Sequence, residues 1–243
     1  MNEKSWKRSV GEFAVIFASI VLALLADDWR ERRSELQEGL DALELILADL
    51  ESEARGFENF QERLVEQAES AADLVSMLEN DGSPDEITPA FTGVVLYFNF
   101  EVGSAAYRGL ASSGGLRLIQ NDTVRAALTS YYDGAIPYMD GLRLAMERDA
   151  ELVASRGLRY FVRAPPRDPD GRFDSGGWWT FRLDAPVTQV QADREFVSAV
   201  GAAGASADFL AYRIGDRFMA QNERARNAVA GYLERMGRSP DGG

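Results

Sequence analysis

The sequence predicts an all-α fold: one N-terminal transmembrane helix continuing into a long-helix antiparallel bundle with one irregular Pro/Gly-rich excursion. Three observations carry this. An apolar run, VGEFAVIFASIVLALLA, occupies Val10 to Ala26. A seam of apolar residues at alternating spacings of four and three follows from Leu36 to Leu78. Most of the remaining chain keeps the helical period, while prolines and glycines gather between Arg163 and Ala192.

Composition limits the chemistry. The chain has 243 residues, 46% of them hydrophobic, which suits one helical domain plus an anchor. Its formal net charge of −13 repels nucleic-acid phosphates, so no nucleic-acid partner is expected. Cys and His are both absent. Thiol nucleophiles, disulfides, imidazole bases and the usual zinc ligands are thereby excluded. A carboxylate pair or a Ser–Lys dyad would remain, but no motif for either is present. The expectation is a non-enzymatic protein with no catalytic residue, cofactor or metal site.

Residues 1–9 form a short tail and residues 10–29 the membrane helix. Seventeen residues from Val10 to Ala26 rise about 25 Å, the short end of a bilayer span. Trp6 and Trp29 flank the run, where indoles settle at the headgroup level. A cleaved signal peptide fits less well, because cleavage after Ala26 would place Leu24 at the −3 position. A buried core helix is the other alternative. Lys4, Lys7 and Arg8 on one side roughly balance Arg30, Arg32 and Arg33 on the other. The favoured topology keeps the tail in the cytoplasm and exports the domain to the periplasm of a bacterial inner membrane. Glu12 is the only charge in the run: it either reaches the headgroups or serves an ion-coupled path. Gly11, Ala14 and Ala18 share a helix face suited to close packing against another transmembrane helix.

Residues 30–236 form the bundle. The seam comprises Leu36, Leu40, Leu43, Leu47, Leu50, Ala54, Phe57, Leu64, Ala68, Ala71, Val75 and Leu78, with Gln61 in the one polar slot. Such a heptad pattern also signals a coiled coil. Leu45, Ile46, Phe60, Val65 and Leu74 widen the stripe and favour an intramolecular bundle, with homo-oligomeric self-association as the rival. Asn80 to Pro84 stops this helix, Gly82 releasing the backbone.

Thr88 to Phe98 reads as a short helix with Pro89 in its first turn. Ser104 caps the next helix, which ends at Gly114-Gly115. Leu116 to Ile119 make a brief turn, and Asp122 caps a long stretch kinked at Gly134 and Pro137. The irregular insertion spans 163–192. A last helical region starts near Asp193, loosens at Gly201–Gly204 and resumes to Leu233, and residues 237–243 form a disordered tail.

Candidate sites are few. Asp168 to Asp174 has no glycine at the position a calcium loop needs and lacks its terminal glutamate, so it reads as a turn. Trp178-Trp179, flanked by glycines, either packs across the bundle end or anchors a partner. Ser112 to Gly115 reads as helix capping, since its glycine spacing suits neither a nucleophile elbow nor a phosphate loop.

Two blocks resemble a bacterial family of single-pass membrane proteins of unknown function. The first is Gly11-Glu12-Phe13, the apolar run, and Asp28-Trp29-Arg30-Glu31-Arg32. The second is Ala106-Tyr107-Arg108-Gly109-Leu110, Ser113-Gly114-Gly115-Leu116, Ile119, Asn121 and Tyr131-Tyr132. Asp27-Asp28 stand where that family usually has asparagines. The resemblance implies a retained anchor and no assigned activity. Together these readings point to an accessory or scaffold protein whose partners are the lipid bilayer and other integral membrane proteins in a larger complex. A membrane-tethered sensory or ligand-binding module is the alternative, and an ion-coupled subunit using Glu12 the third.

Overall fold

A computed structural model describes residues 3–95, 100, 102–165 and 180–238, with only the helical backbone given for 3–16 and 18. Among the described residues the fold is all-α apart from one short strand pair. Helix α1 runs without a break from Glu3 to Glu79. After it come α2 (Pro84–Val95), α3 (Ala105–Ser112), a 3₁₀ turn (Gly115–Leu118), α4 (Asp122–Thr129) and α5 (Ile136–Gly157). Strands β1 (Phe161–Ala164) and β2 (Thr180–Leu183) lead to α6 (Val187–Ala192), α7 (Arg194–Arg213) and α8 (Met219–Arg235).

One helix supports two stacked cores. The α1 residues from Leu40 to Leu64 pack with Tyr107, Leu128, Met139, Ile214 and Val229 of the following helices. Lower on α1, Ala71, Leu74 and Leu78 pack with Phe91, Val153, Phe161 and Phe196. The intramolecular bundle expected from the wide stripe is therefore present. Ile46, Phe60 and Leu74 are buried as that stripe requires, whereas Leu45 and Val65 face solvent. Burial begins near the middle of α1: every residue from Ser19 to Ser34 is exposed. Among the described residues no helix is long and apolar enough to cross a membrane.

Helix ends correct several expectations. At the end of α1 it is Asp81, at φ 55°, that takes the left-handed position. Gly82 N–H then closes back onto Met77 O at 2.7 Å. The second helix starts at Pro84 rather than Thr88, so Pro89 lies inside it. Its start carries one half of a capping box: Glu86 Oε2 accepts from Ser83 N–H at 3.0 Å and from Ser83 Oγ at 2.7 Å. Ser104 precedes α3 but makes no side-chain cap; Ala106 N–H instead points to Asp49 Oδ2 of α1 at 3.4 Å. The cap of α4 is Asn121, not Asp122, its Oδ1 accepting from Thr123 and Val124 N–H. An amide oxygen one residue upstream reaches the second and third N–H groups, which the first helical residue cannot.

Two π-helical turns interrupt otherwise continuous helices. The kink expected at Gly134 and Pro137 is a π turn over Ser130–Ala135, between α4 and α5. The loosening expected at Gly201–Gly204 is absent, because α7 is regular there. It yields instead at a second π turn, Ile214–Phe218. Gly204 belongs to the helix because a Cβ would lie 2.7 Å from Ala71 Cβ, so a glycine permits the close approach of α1 and α7.

The stretch expected to be irregular carries an antiparallel pair with Phe161 opposite Leu183 and Ala164 opposite Thr180. Phe91 fastens it to α2, stacking on Phe161 at 3.8 Å and meeting Phe181 edge-on at 5.0 Å. Of the tail expected over 237–243, Gly237 and Arg238 are ordered, and the rest lies outside the described residues. Gly237 (φ 78°) and Arg238 close a Schellman turn onto Glu234 and Leu233. Arg238 then pairs with Asp41 at 2.7 Å and Glu44 at 2.8 Å.

Candidate functional site

The polar centre of the bundle is Glu53. It lies on α1 in a second heptad seam, Ile46-Leu50-Glu53-Phe57-Phe60-Leu64-Gln67-Ala71-Leu74-Leu78, whose members are all buried. Two of these ten positions are polar, and each finds partners across the bundle. Gln67 donates to Val94 O at 2.7 Å, satisfying one of the last carbonyls of α2. Glu53 Oε2 accepts from Tyr131 Oη at 2.7 Å, and its Oε1 lies 3.4 Å from Tyr132 Oη. Asn222 of α8 completes the cluster. Its Nδ2 donates to Leu50 O at 3.0 Å and lies 3.2 Å from Tyr131 Oη and 3.4 Å from Glu53 Oε2.

The π turn aims the tyrosines. An extra residue per turn rotates neighbouring side chains relative to a regular helix. Tyr131 and Tyr132 are consecutive, yet both reach Glu53, with their rings 4.8 Å apart and edge-on. Tyr107 stacks on Tyr132 at 4.5 Å and donates to Asp133 Oδ2 at 2.7 Å.

Burial raises the Glu53 carboxyl to about 7. The hydrogen bond from Tyr131 opposes the rise, and the nearby Asp49 charge adds to it. The same burial, then the Glu53 charge, pushes both Tyr131 and Tyr132 well above the usual phenol range. The phenols thus remain donors near neutral pH, and Glu53 is the group that exchanges a proton there. Among the described residues no three acidic side chains converge closely enough to hold a metal ion.

Beside this cluster opens a cleft of about 620 Å³. Its wall includes Phe100, Tyr107 and Tyr132, with Arg108, Asp133, Asp140 and Arg143 supplying charge. Tyr132 belongs to both, so it joins the buried carboxyl to the cleft. The volume is within the range of small-molecule sites, but four charged side chains make its lining more polar than is usual for one.

Of the residues singled out in the sequence, Trp29 is 60% exposed, with the Arg33 guanidinium 5.4 Å from its ring centre. Trp6, Gly11, Glu12, Ala14 and Ala18 lie in α1, but their side chains are outside the described residues, as are Trp178 and Trp179. Glu53 and Asn222 were not anticipated. The signal for Glu53 was available: it interrupts an apolar seam of strict four–three spacing, as Gln67 does. Asn222 had no comparable signal. Tyr107 and the Tyr131-Tyr132 pair stand together here: Tyr131 and Tyr132 reach Glu53, and Tyr107 stacks on Tyr132.

No protein-family model matches the chain, and no curated protein or solved structure is significantly similar to it.

Proposed function

We propose that this chain is a membrane-tethered, non-enzymatic accessory protein whose N-terminal helix inserts into a bilayer beside a larger membrane protein complex. The observation that carries the reading is the set of exposed apolar residues on α1 from Phe17 onward. Phe17, Ile20, Leu22, Leu24, Leu25 and Trp29 are each 54–66% exposed around the helix, and none is covered by the bundle. A helix apolar all round needs a non-aqueous surrounding, which the rest of the fold does not supply. The upstream residues Val10 to Ile16 extend the same run, with Glu12 near its beginning. The indole of Trp29 then marks the interface. The bundle would sit on the periplasmic side of a bacterial inner membrane, a topology tested by reporter fusions at both termini.

Alkaline carbonate extraction of native membranes is the direct test. The full chain should stay in the membrane pellet, and a Leu22→Lys, Leu24→Lys, Leu25→Lys variant should be released. Release of the unaltered chain would sink the anchor. Mild-detergent purification should then recover a larger complex, whose composition separates respiratory, photosynthetic and transport classes.

The cleft beside Tyr107 and Tyr132 favours a second reading, a tethered small-ligand-binding module. Its test is a thermal-shift screen in which a hit loses its effect in Tyr132→Ala. A screen with no stabilising compound would count against it.

A further inference from the structure

Helices α1 and α7 leave an apolar groove of about 630 Å³ on the outside of the bundle. Ala68, Ala72 and Val75 of α1 and Gly201 and Ala205 of α7 line it. The helices run antiparallel, as contacts of Gln61 with Ala211 and of Gly204 with Ala71 require. Their close approach at Gly204 makes the floor shallow, and a Cβ on Gly201 would meet nothing within 4 Å. Helical spacing continues the apolar strip to Val65, Phe209 and Tyr212, which are 40%, 49% and 61% exposed. Among the described residues, the charged groups lining the groove are Glu69, Glu79 and Asp208, all acidic.

We propose that this groove receives a basic amphipathic α-helix from a partner protein. The inference rests on the accessory reading and names the partner's chemistry. Residues 65–79 of α1 span about 21 Å, the length of a four-turn helix. A floor of Ala and Gly lets a third backbone approach closely, and an amphipathic helix presents its apolar anchors at the spacing such a groove accepts. Phe209 and Tyr212 offer aromatic anchor points at one end. Lysines or arginines beside the partner's apolar stripe pair with Glu69, Glu79 and Asp208. The same acids reject the other occupants. A second copy brings a further −13 and its own acidic groove, and nucleic acid and anionic lipid headgroups bring like charge.

The test uses the full chain in non-ionic detergent and a fluorescent helical peptide of about 18 residues, with a Leu/Ala stripe flanked by lysines. One control peptide carries Glu for every Lys; another keeps the composition but scrambles the stripe. Anisotropy should show the basic peptide binding about tenfold or more tightly than either control. Ala72→Arg and Ala205→Arg, both at exposed positions, should weaken it about tenfold while circular dichroism stays unchanged. The double change Glu69→Lys, Asp208→Lys should reverse the preference toward the acidic peptide. No binding, equal binding of the scrambled peptide, or indifference to both arginine variants overturns the proposal. Purification from native membranes separates its failure from that of the accessory reading. If Ala205→Arg co-purifies with the complex as the unaltered chain does, the groove is not the dock although the accessory role stands. If the unaltered chain comes out alone, the accessory role falls, and the peptide titration still decides the groove.

Discussion

Tyr131 Oη donates to Glu53 Oε2 at 2.7 Å, joining the π turn after α4 to the middle of α1 across 78 residues of sequence. This contact places an ionisable carboxyl inside an apolar seam and makes the bundle's stability depend on its proton.

Glu53 ionises less readily in the fold than in the unfolded chain, from an ordinary 4.5 up to about 7. Between those values the folded state holds a proton that the unfolded state has lost, so stability falls as pH rises. The difference amounts to about 3 kcal/mol once pH exceeds 7. Urea denaturation in mild detergent at pH 5 and pH 8 should show most of that loss, and Glu53→Gln should remove most of it. An unchanged pH dependence in Glu53→Gln would refute the assignment.

Asn222 holds the same cluster from α8. Asn222→Ala leaves Leu50 O without this partner and should cost about 2 kcal/mol. Asn222→Asp instead puts a carboxylate near Glu53 and should destabilise more at pH 8 than at pH 5. A pH-independent effect of Asn222→Asp would argue that the two side chains do not interact.

Gly201 and Gly204 are neighbours in α7 with opposite demands. Gly204→Val forces its side chain against Ala71 and should cost about 1–3 kcal/mol. Gly201→Ala has open space and a regular helical backbone, and should gain about 0.5–1 kcal/mol. Thermal melts of the two variants should move in opposite directions.

Asp193 caps α7, its Oδ1 accepting from Phe196 N–H at 3.0 Å while Oδ2 accepts from Tyr160 Oη at 2.7 Å. Asp193→Ala should destabilise by about 1 kcal/mol, and Asp193→Asn by less. These bonds hold the Asp193 carboxyl below its usual range, with the Tyr160 bond the larger cause. Its contribution is therefore present above about pH 4 and lost as the solution is acidified below that. Equal stability of Asp193→Ala and the unaltered protein would show that the cap contributes nothing.

Helix α1 was legible because Leu40, Leu43, Leu47 and Leu50 repeat at a spacing that only a helix can bring to one face. Asp193 was legible as a helix start for the same local reason. The β1–β2 pair was not, since its four-residue strands carry no pattern stronger than the prolines and glycines around them. What holds them is Phe91, supplied by α2. The caps at Ser83 and Asn121 were visible as residue types, but competing neighbours obscured which one acts.

Sequence alone determined the helical class, the acidic surface, the exclusion of thiol and imidazole chemistry, and the apolar run at the N-terminus. Each is a property of composition or of period along one segment. Tertiary structure decided that the second of α1's two overlapping seams is buried along with the first, and with it that Glu53 and Gln67 are core residues. It also decided that Tyr131, Tyr132 and Asn222 converge on that carboxyl, and that α1 and α7 approach closely enough to leave a groove between them. Those outcomes depend on where three distant helices meet, and a side chain's partner across a bundle leaves no mark on the spacing of its own helix.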